Sequence, residues 1–192
     1  IPFERIDAIR EAAAEGSPTT SVIEAGRGVR FLREYDVLRW MTGDAAGDDA
    51  GFEYEVTADV RELAIPEAGG RLVFRRMLRA AGEPLPSPGA ESRCAALFDE
   101  DAVAYPLRVR SRRPGDRMRL AGLNGSKKVQ DIFVDGKVAR AMRSRIPLVA
   151  DAEGRLLWIA GIRRSADAPV TEDTTRILRI EWQDDTLEVW RC

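Results

Sequence analysis

The chain has 192 residues, 44% of them apolar, a formal net charge of −2 at pH 7 and no histidine. That is enough apolar material for one large domain or two small ones, and no run approaches the roughly 18 apolar residues that a membrane span needs. The missing histidines exclude Ser-His-Asp and Cys-His catalysis and remove the commonest metal ligand, so any chemistry would run on carboxylates, lysines or a cofactor.

The N-terminus, IPFERIDAIR, has neither an initiator Met nor a signal-like apolar core and reads as a piece of a longer chain. Phe3 to Glu15 predict an amphipathic helix, with Phe3, Ile6, Ile9 and Ala13 on one side and Gly16-Ser17-Pro18 as its stop. Val29 to Phe31 and Val37 to Trp40 are candidate strands, followed by a loop rich in Gly and Asp from Gly43 to Gly51. Phe52, Tyr54 and Val56 alternate with Glu53, Glu55 and Thr57, the period of a half-buried strand. A strand at Arg71 to Phe74 follows the turn Glu67 to Gly70. The segment GEPLPSPG, Gly82 to Gly89, suits neither a ladder nor a helix and is the expected linker. Cys94 and Cys192 lie far apart, which suggests neither a disulfide framework nor a zinc knuckle and fits a reducing, cytoplasmic setting.

In LRVRSRRPGDRM, Leu107 and Val109 point to one face and Arg108, Arg110 and Arg112 to the other, until the turn Pro114-Gly115-Asp116. In GSKKVQDIFVD, the apolar Val129, Ile132 and Phe133 recur at helical spacing, predicting a short helix with Ser126 as N-cap and Lys127 and Lys128 in its first turn. A second basic helical stretch, Val138 to Arg145, is closed by Pro147. Strands follow at Leu148-Val149, Leu156 to Ile159, Ile177 to Trp182 and Leu187 to Trp190. The expected fold class is α+β: two small domains, residues 1–98 and 99–192, each with mainly antiparallel strands and a few short helices.

Charge is segregated along this chain. Between Pro106 and Arg145 twelve basic residues meet only Asp116, Asp131 and Asp135, a local balance of +9, which leaves 18 basic and 29 acidic residues, or −11, elsewhere. Such asymmetry concerns partners more than folding. Alternate strand residues lie roughly 6.6 to 6.8 Å apart, so Arg108, Arg110 and Arg112 would form an evenly spaced cationic row. A guanidinium grips a phosphate with two hydrogen bonds, and lysines at a helix start become tolerable if an anion sits there. Charge alone leaves two readings open. One is a sugar-phosphate polymer; the other is a solvated face that pairs with the acidic half of this chain, of a second copy or of an acidic protein partner.

Other candidates carry less. GLNGSKK lacks the spacing of a Walker loop, and Asp44, Asp48 and Asp49 lack that of an EF-hand, so no metal site is assigned. Trp40, Trp158, Trp182 and Trp190 fit core or interface better than base stacking. Asp116 could act as a general acid or, without a second carboxylate at defined spacing, cap its turn or orient Arg117. No catalytic residue is assigned, and an autonomous hydrolase has no visible nucleophile-base pair.

The sequence PLRVRSRRPGDRM, then GLNGSKKVQDIFVDGKVARAMRSRIPLV and LLWIAGIR, resembles the C-terminal domain of bacterial tRNA(Ile)-lysidine synthetase over about Asp99 to Ile180. Upstream, GRGVRFLREYDVLRW and ELAIPEAGGRL are similar to the family's middle domain. The family often has Pro where Ala139 stands and an aromatic near Ile146. The resemblance implies part of an ATP-dependent ligase that adenylates the wobble cytidine of an isoleucine tRNA and attaches lysine. Its ATP and Mg would belong to an N-terminal domain whose Ser-Gly-Gly-x-Asp-Ser loop is not in this sequence, so no cofactor is expected here. The implied role is tRNA(Ile) recognition in the cytoplasm, in a parent that can be a homodimer. By motif, Arg108, Arg110, Arg112, Arg113, Arg117, Lys127, Lys128, Lys137, Arg140 and Arg143 are the residues expected to face RNA.

Overall fold

The structure is a computed structural model that describes residues 6, 7, 10, 21–26, 29–34, 37–42, 51–80, 83–86, 91–122 and 124–184. Ile6, Asp7 and Arg10 are helical; the rest of the helix expected at Phe3 to Glu15, and the strand expected at Leu187 to Trp190, lie outside the described residues. Three antiparallel strands, β1 (Ser21–Gly26), β2 (Val29–Glu34) and β3 (Val37–Thr42), form one sheet. The candidate strands at Val29 and Val37 are β2 and β3, while β1 carried no clear period in the sequence.

Residues 51–184 hold the remaining strands. Those that enter the two larger sheets are β4 (Glu53–Val56), β5 (Glu62–Ile65), β6 (Gly70–Leu78), β7 (Ala95–Asp99), β8 (Leu107–Arg110), β11 (Leu148–Ala150), β12 (Leu156–Ile159), β13 (Arg163–Arg164) and β14 (Arg176–Asp184). Two short strands between β8 and β11 pair with each other: β9 (Arg117–Arg119) and β10 (Ser126–Lys128). The larger sheets run in the orders β13-β12-β11-β8-β4 and β5-β6-β14-β7, with every pairing antiparallel. The α+β class expected from the sequence holds, with a helix at Val129–Asp135 and a short 3-10 turn at Arg140–Met142.

The five-stranded sheet is the middle layer, because both of its faces are buried. Val56, Leu107, Val109, Val149, Leu157 and Trp158 pack toward the four-stranded sheet with Leu72, Phe74, Phe98, Leu178, Ile180 and Trp182. Leu148, Ala150, Leu156 and Ile159 pack on the other side with Ile132, Phe133, Met142 and Ile146. A strand covered on both faces reads as an unbroken apolar run, and Leu156-Leu157-Trp158-Ile159 is one. Trp158 and Trp182 are core residues, as expected.

The division expected between residues 98 and 99 falls inside β7. Ladders run across it: β4 pairs with β8, and β6 pairs with β14 over its whole length. The Pro-rich segment that suggested a linker joins β6 to β7, which flank the same strand β14. Composition shows where a chain leaves a ladder, whereas only pairing shows whether it returns to the same sheet. A second expectation also changes, since Cys94 is disulfide-bonded. Among the described residues no helix is long and apolar enough to cross a membrane.

Candidate nucleic-acid interface

The turn Pro114-Gly115-Asp116 organises the basic half. Gly115 takes φ +88°, a left-handed conformation that glycine adopts without strain. The turn swings Asp116 back onto Arg110, whose two terminal nitrogens donate to its carboxylate at 2.8 and 2.9 Å, and the Arg113 N–H donates to it at 2.6 Å. Burial pushes the Asp116 carboxyl up, but the Arg110 hydrogen bonds and the Arg113 N–H outweigh it, so its pKa lies below the ordinary 3.8. The Asp116 carbonyl then accepts the Val129 N–H at 2.9 Å and ties the helix start to the turn. Asp116 is therefore a positioning residue, and it orients Arg110 rather than Arg117.

The expected cationic row is only partly a row. Arg108 is exposed, Arg112 is half-buried, and Arg110 is buried at 8% exposure in its pair with Asp116. Alternation placed Arg108 and Arg110 correctly opposite Leu107 and Val109, but the returning turn covers one of them. Arg143 is also interior, at 4% exposure, with its Nε donating to the Val138 carbonyl at 2.9 Å. Arg110 and Arg143 thus hold the fold and offer no free charge. Arg113 is exposed in an ion pair with Glu53, while Lys137 and Arg140 are exposed.

The lysine pair sits elsewhere than expected. Ser126, Lys127 and Lys128 are strand β10, and the helix begins at Val129 with Lys128 as an N-cap that makes no side-chain capping bond. Ser126 is not the cap because it lies in β10, two residues before the N-cap position, where its Oγ accepts from Arg117 Nε at 2.8 Å and its carbonyl accepts from Arg117 Nη2 at 2.6 Å. The helix's first turn carries Asp131, the sign its dipole favours. The apolar spacing itself was right, since Val129, Ile132 and Phe133 are all buried. The basic stretch Val138 to Arg145 is likewise no helix but the 3-10 turn at Arg140–Met142 and its flanks.

Pairing of β9 with β10 makes the cationic surface. Met118 faces the core opposite Lys127, so Arg117, Arg119, Ser126 and Lys128 share the outer side, with Arg117 directly opposite Lys128 and Arg119 opposite Ser126. Like charges directly across a ladder are destabilising. Among the described residues no carboxylate forms an ion pair with Arg117 or Lys128, whereas Lys127 pairs with Asp135 and Arg119 with the buried Asp167 at 2.9 Å. Arg119 joined the surface only through pairing, since the sequence showed no ladder to place it. Next to this pair opens a cleft of about 340 Å³ lined by Arg117, Asn124, Gly125, Ser126, Lys127, Lys128 and Asp131.

The fold and this hairpin define a small α+β module, built almost wholly of antiparallel strands, with a cationic outer face. Residues 107–182 match the family described as the TilS substrate C-terminal domain. A crystal structure of a TilS C-terminal domain is 32% identical, with a TM-score of 0.58, and covers 70% of this chain and 99% of its own. The tRNA(Ile)-lysidine synthase of Geobacillus kaustophilus is 33% identical over 88% of this chain and 34% of its own length. That of Bacillus subtilis is 31% identical over 79% of this chain and 31% of its own. The chain belongs to the tRNA(Ile)-lysidine synthase family through the C-terminal domain, and it spans about a third of the length of these relatives.

Proposed function

We propose that this chain is the tRNA-recognising part of a cytoplasmic ligase that converts the wobble cytidine of an isoleucine tRNA to lysidine, with ATP and lysine handled by another part of the same protein. The observation that carries the reading is the hairpin pair Arg117 and Lys128, exposed side by side without a carboxylate between them. A protein that holds two cations in this costly arrangement gains most from an anion laid across them. A-form RNA is recognised through phosphates, 2′-hydroxyls and shape, which asks for a broad basic face of this kind. Arg117, Arg119 and Lys128 form the centre of that face, and Lys127 lines the cleft beside them. Arg108, Arg113, Lys137 and Arg140 supply further exposed charge, and Arg110 and Arg143 leave the set because they are buried.

Filter binding of the 192-residue chain to an isoleucine tRNA across a salt series tests this. With three or four phosphates neutralised at the hairpin, log K should fall against log salt with a slope of roughly −3. A flat response removes the electrostatic account. A stable homodimer in sedimentation that ignores tRNA would instead favour docking between acidic and basic halves of two copies.

A further inference from the structure

One carboxylate in the cationic cleft is unexplained by phosphate binding. Asp131 lines the cleft together with Arg117, Lys127 and Lys128, yet it forms no ion pair with any of them. Lys127 turns instead to Asp135. An ionised carboxylate is acceptor-only, and a phosphodiester has no proton to give it, so against phosphate alone Asp131 is simply repulsive. A ribose hydroxyl is the donor that lies next to every phosphate along an RNA strand and is missing from DNA.

We propose that the cleft holds one ribose-phosphate unit of an RNA strand, the phosphate spanning Arg117 and Lys128 and the 2′-hydroxyl donating to the Asp131 carboxylate. The inference rests on the RNA-binding reading above and adds the recognition of the sugar. Arg117 is already oriented for the task, since its two bonds to Ser126 hold the guanidinium beside the cleft while Nη1 stays available. Gly125, at φ +111° and with open space where a Cβ would stand, leaves the mouth of the cleft unobstructed. Asn124 and Ser126 add polar groups to the same wall. The volume, about 340 Å³, is at the small end of ligand pockets and suits a single unit of backbone.

The test compares two hairpins of one sequence, an A-form RNA stem-loop and its fully 2′-O-methylated form, which keeps A-form shape and phosphates but has no hydroxyl proton. Binding of each to the 192-residue chain gives a preference ratio. Asp131→Ala should lower that ratio roughly three- to tenfold, the worth of one hydrogen bond, and should weaken unmodified RNA although it removes a negative charge. Asp131→Asn, which keeps an acceptor oxygen, should retain most of the preference. Arg117→Gln should weaken both hairpins alike and leave the ratio unchanged. The proposal is overturned if Asp131→Ala tightens both hairpins, which would make Asp131 a mere repulsive charge. It is equally overturned if that variant weakens both alike with a lowered Tm, which would make Asp131 a helix-start residue only. Wild-type chain that ignores both hairpins would sink the RNA-binding reading itself, a distinct result.

Discussion

Lys137 sits where a glycine is expected. Its φ is +51°, and the bonds from Lys137 N–H to the Val134 carbonyl at 3.0 Å and from Val138 N–H to the Phe133 carbonyl at 2.8 Å form a Schellman cap on the helix. The glycine of the DGK turn comes one residue early, with φ −76°. A left-handed conformation costs a non-glycine residue roughly 1 kcal/mol or more. If the charge at Lys137 serves the RNA face, Lys137→Gly should raise Tm by a few degrees while weakening RNA binding. Differential scanning calorimetry with filter binding reads both: a raised Tm with unchanged affinity removes Lys137 from the RNA face, and a lowered Tm refutes the strain. Arg110 and Arg143 carry the same lesson in reverse. Their charges looked identical to that of Arg108 in sequence, and only the covering turn and the 3-10 corner make them interior.

The PGD turn, β9, β10 and the helix behave as one unit pinned at Asp116. With its folded pKa held below the ordinary 3.8, Asp116 contributes stability that is present above pH 3.8 and lost as pH falls through the lower folded value. Asp116→Asn should remove that part of the acid dependence and leave Arg110 as a buried charge without its counterion, a loss of about 3 kcal/mol at neutral pH. Urea unfolding of both chains at pH 7 and pH 3 measures it. An Asp116→Asn chain with unchanged midpoint at pH 7 would mean that the pair holds nothing together. RNA affinity should fall with the same substitution, because the Asp116 turn leads directly into Arg117.

Across the whole molecule the ladders join what composition divides. The resemblance to the family's C-terminal domain and the match to residues 107–182 both begin beyond the linker, which on its own favours cutting out residues 99–192 as a unit. The pairing argues otherwise, since β8 would lose β4, and β14 would lose both β6 and most of β7. A chain of residues 99–192 should therefore show little cooperative unfolding by circular dichroism, while one that begins at residue 51 keeps every ladder of the two larger sheets. A cooperative melt from the shorter piece would restore the boundary at 98/99.

The sequence by itself determined what depends on neighbours along the chain: the alternation of β4 and β8, the apolar run of β12, the buried positions of the helix, and the excess of charge between Pro106 and Arg145. It also carried the family, because motif order survives where spacing in space is unknown. Tertiary structure decided which cations are free. Ser126 could cap a helix or pair in a hairpin, and its engagement by Arg117 settles that in favour of the hairpin. Arg119 joined the cationic face, Arg110 left it and the division at 98/99 dissolved for one reason: hydrogen-bond ladders and ion pairs join residues distant in sequence, and no local pattern encodes their partner.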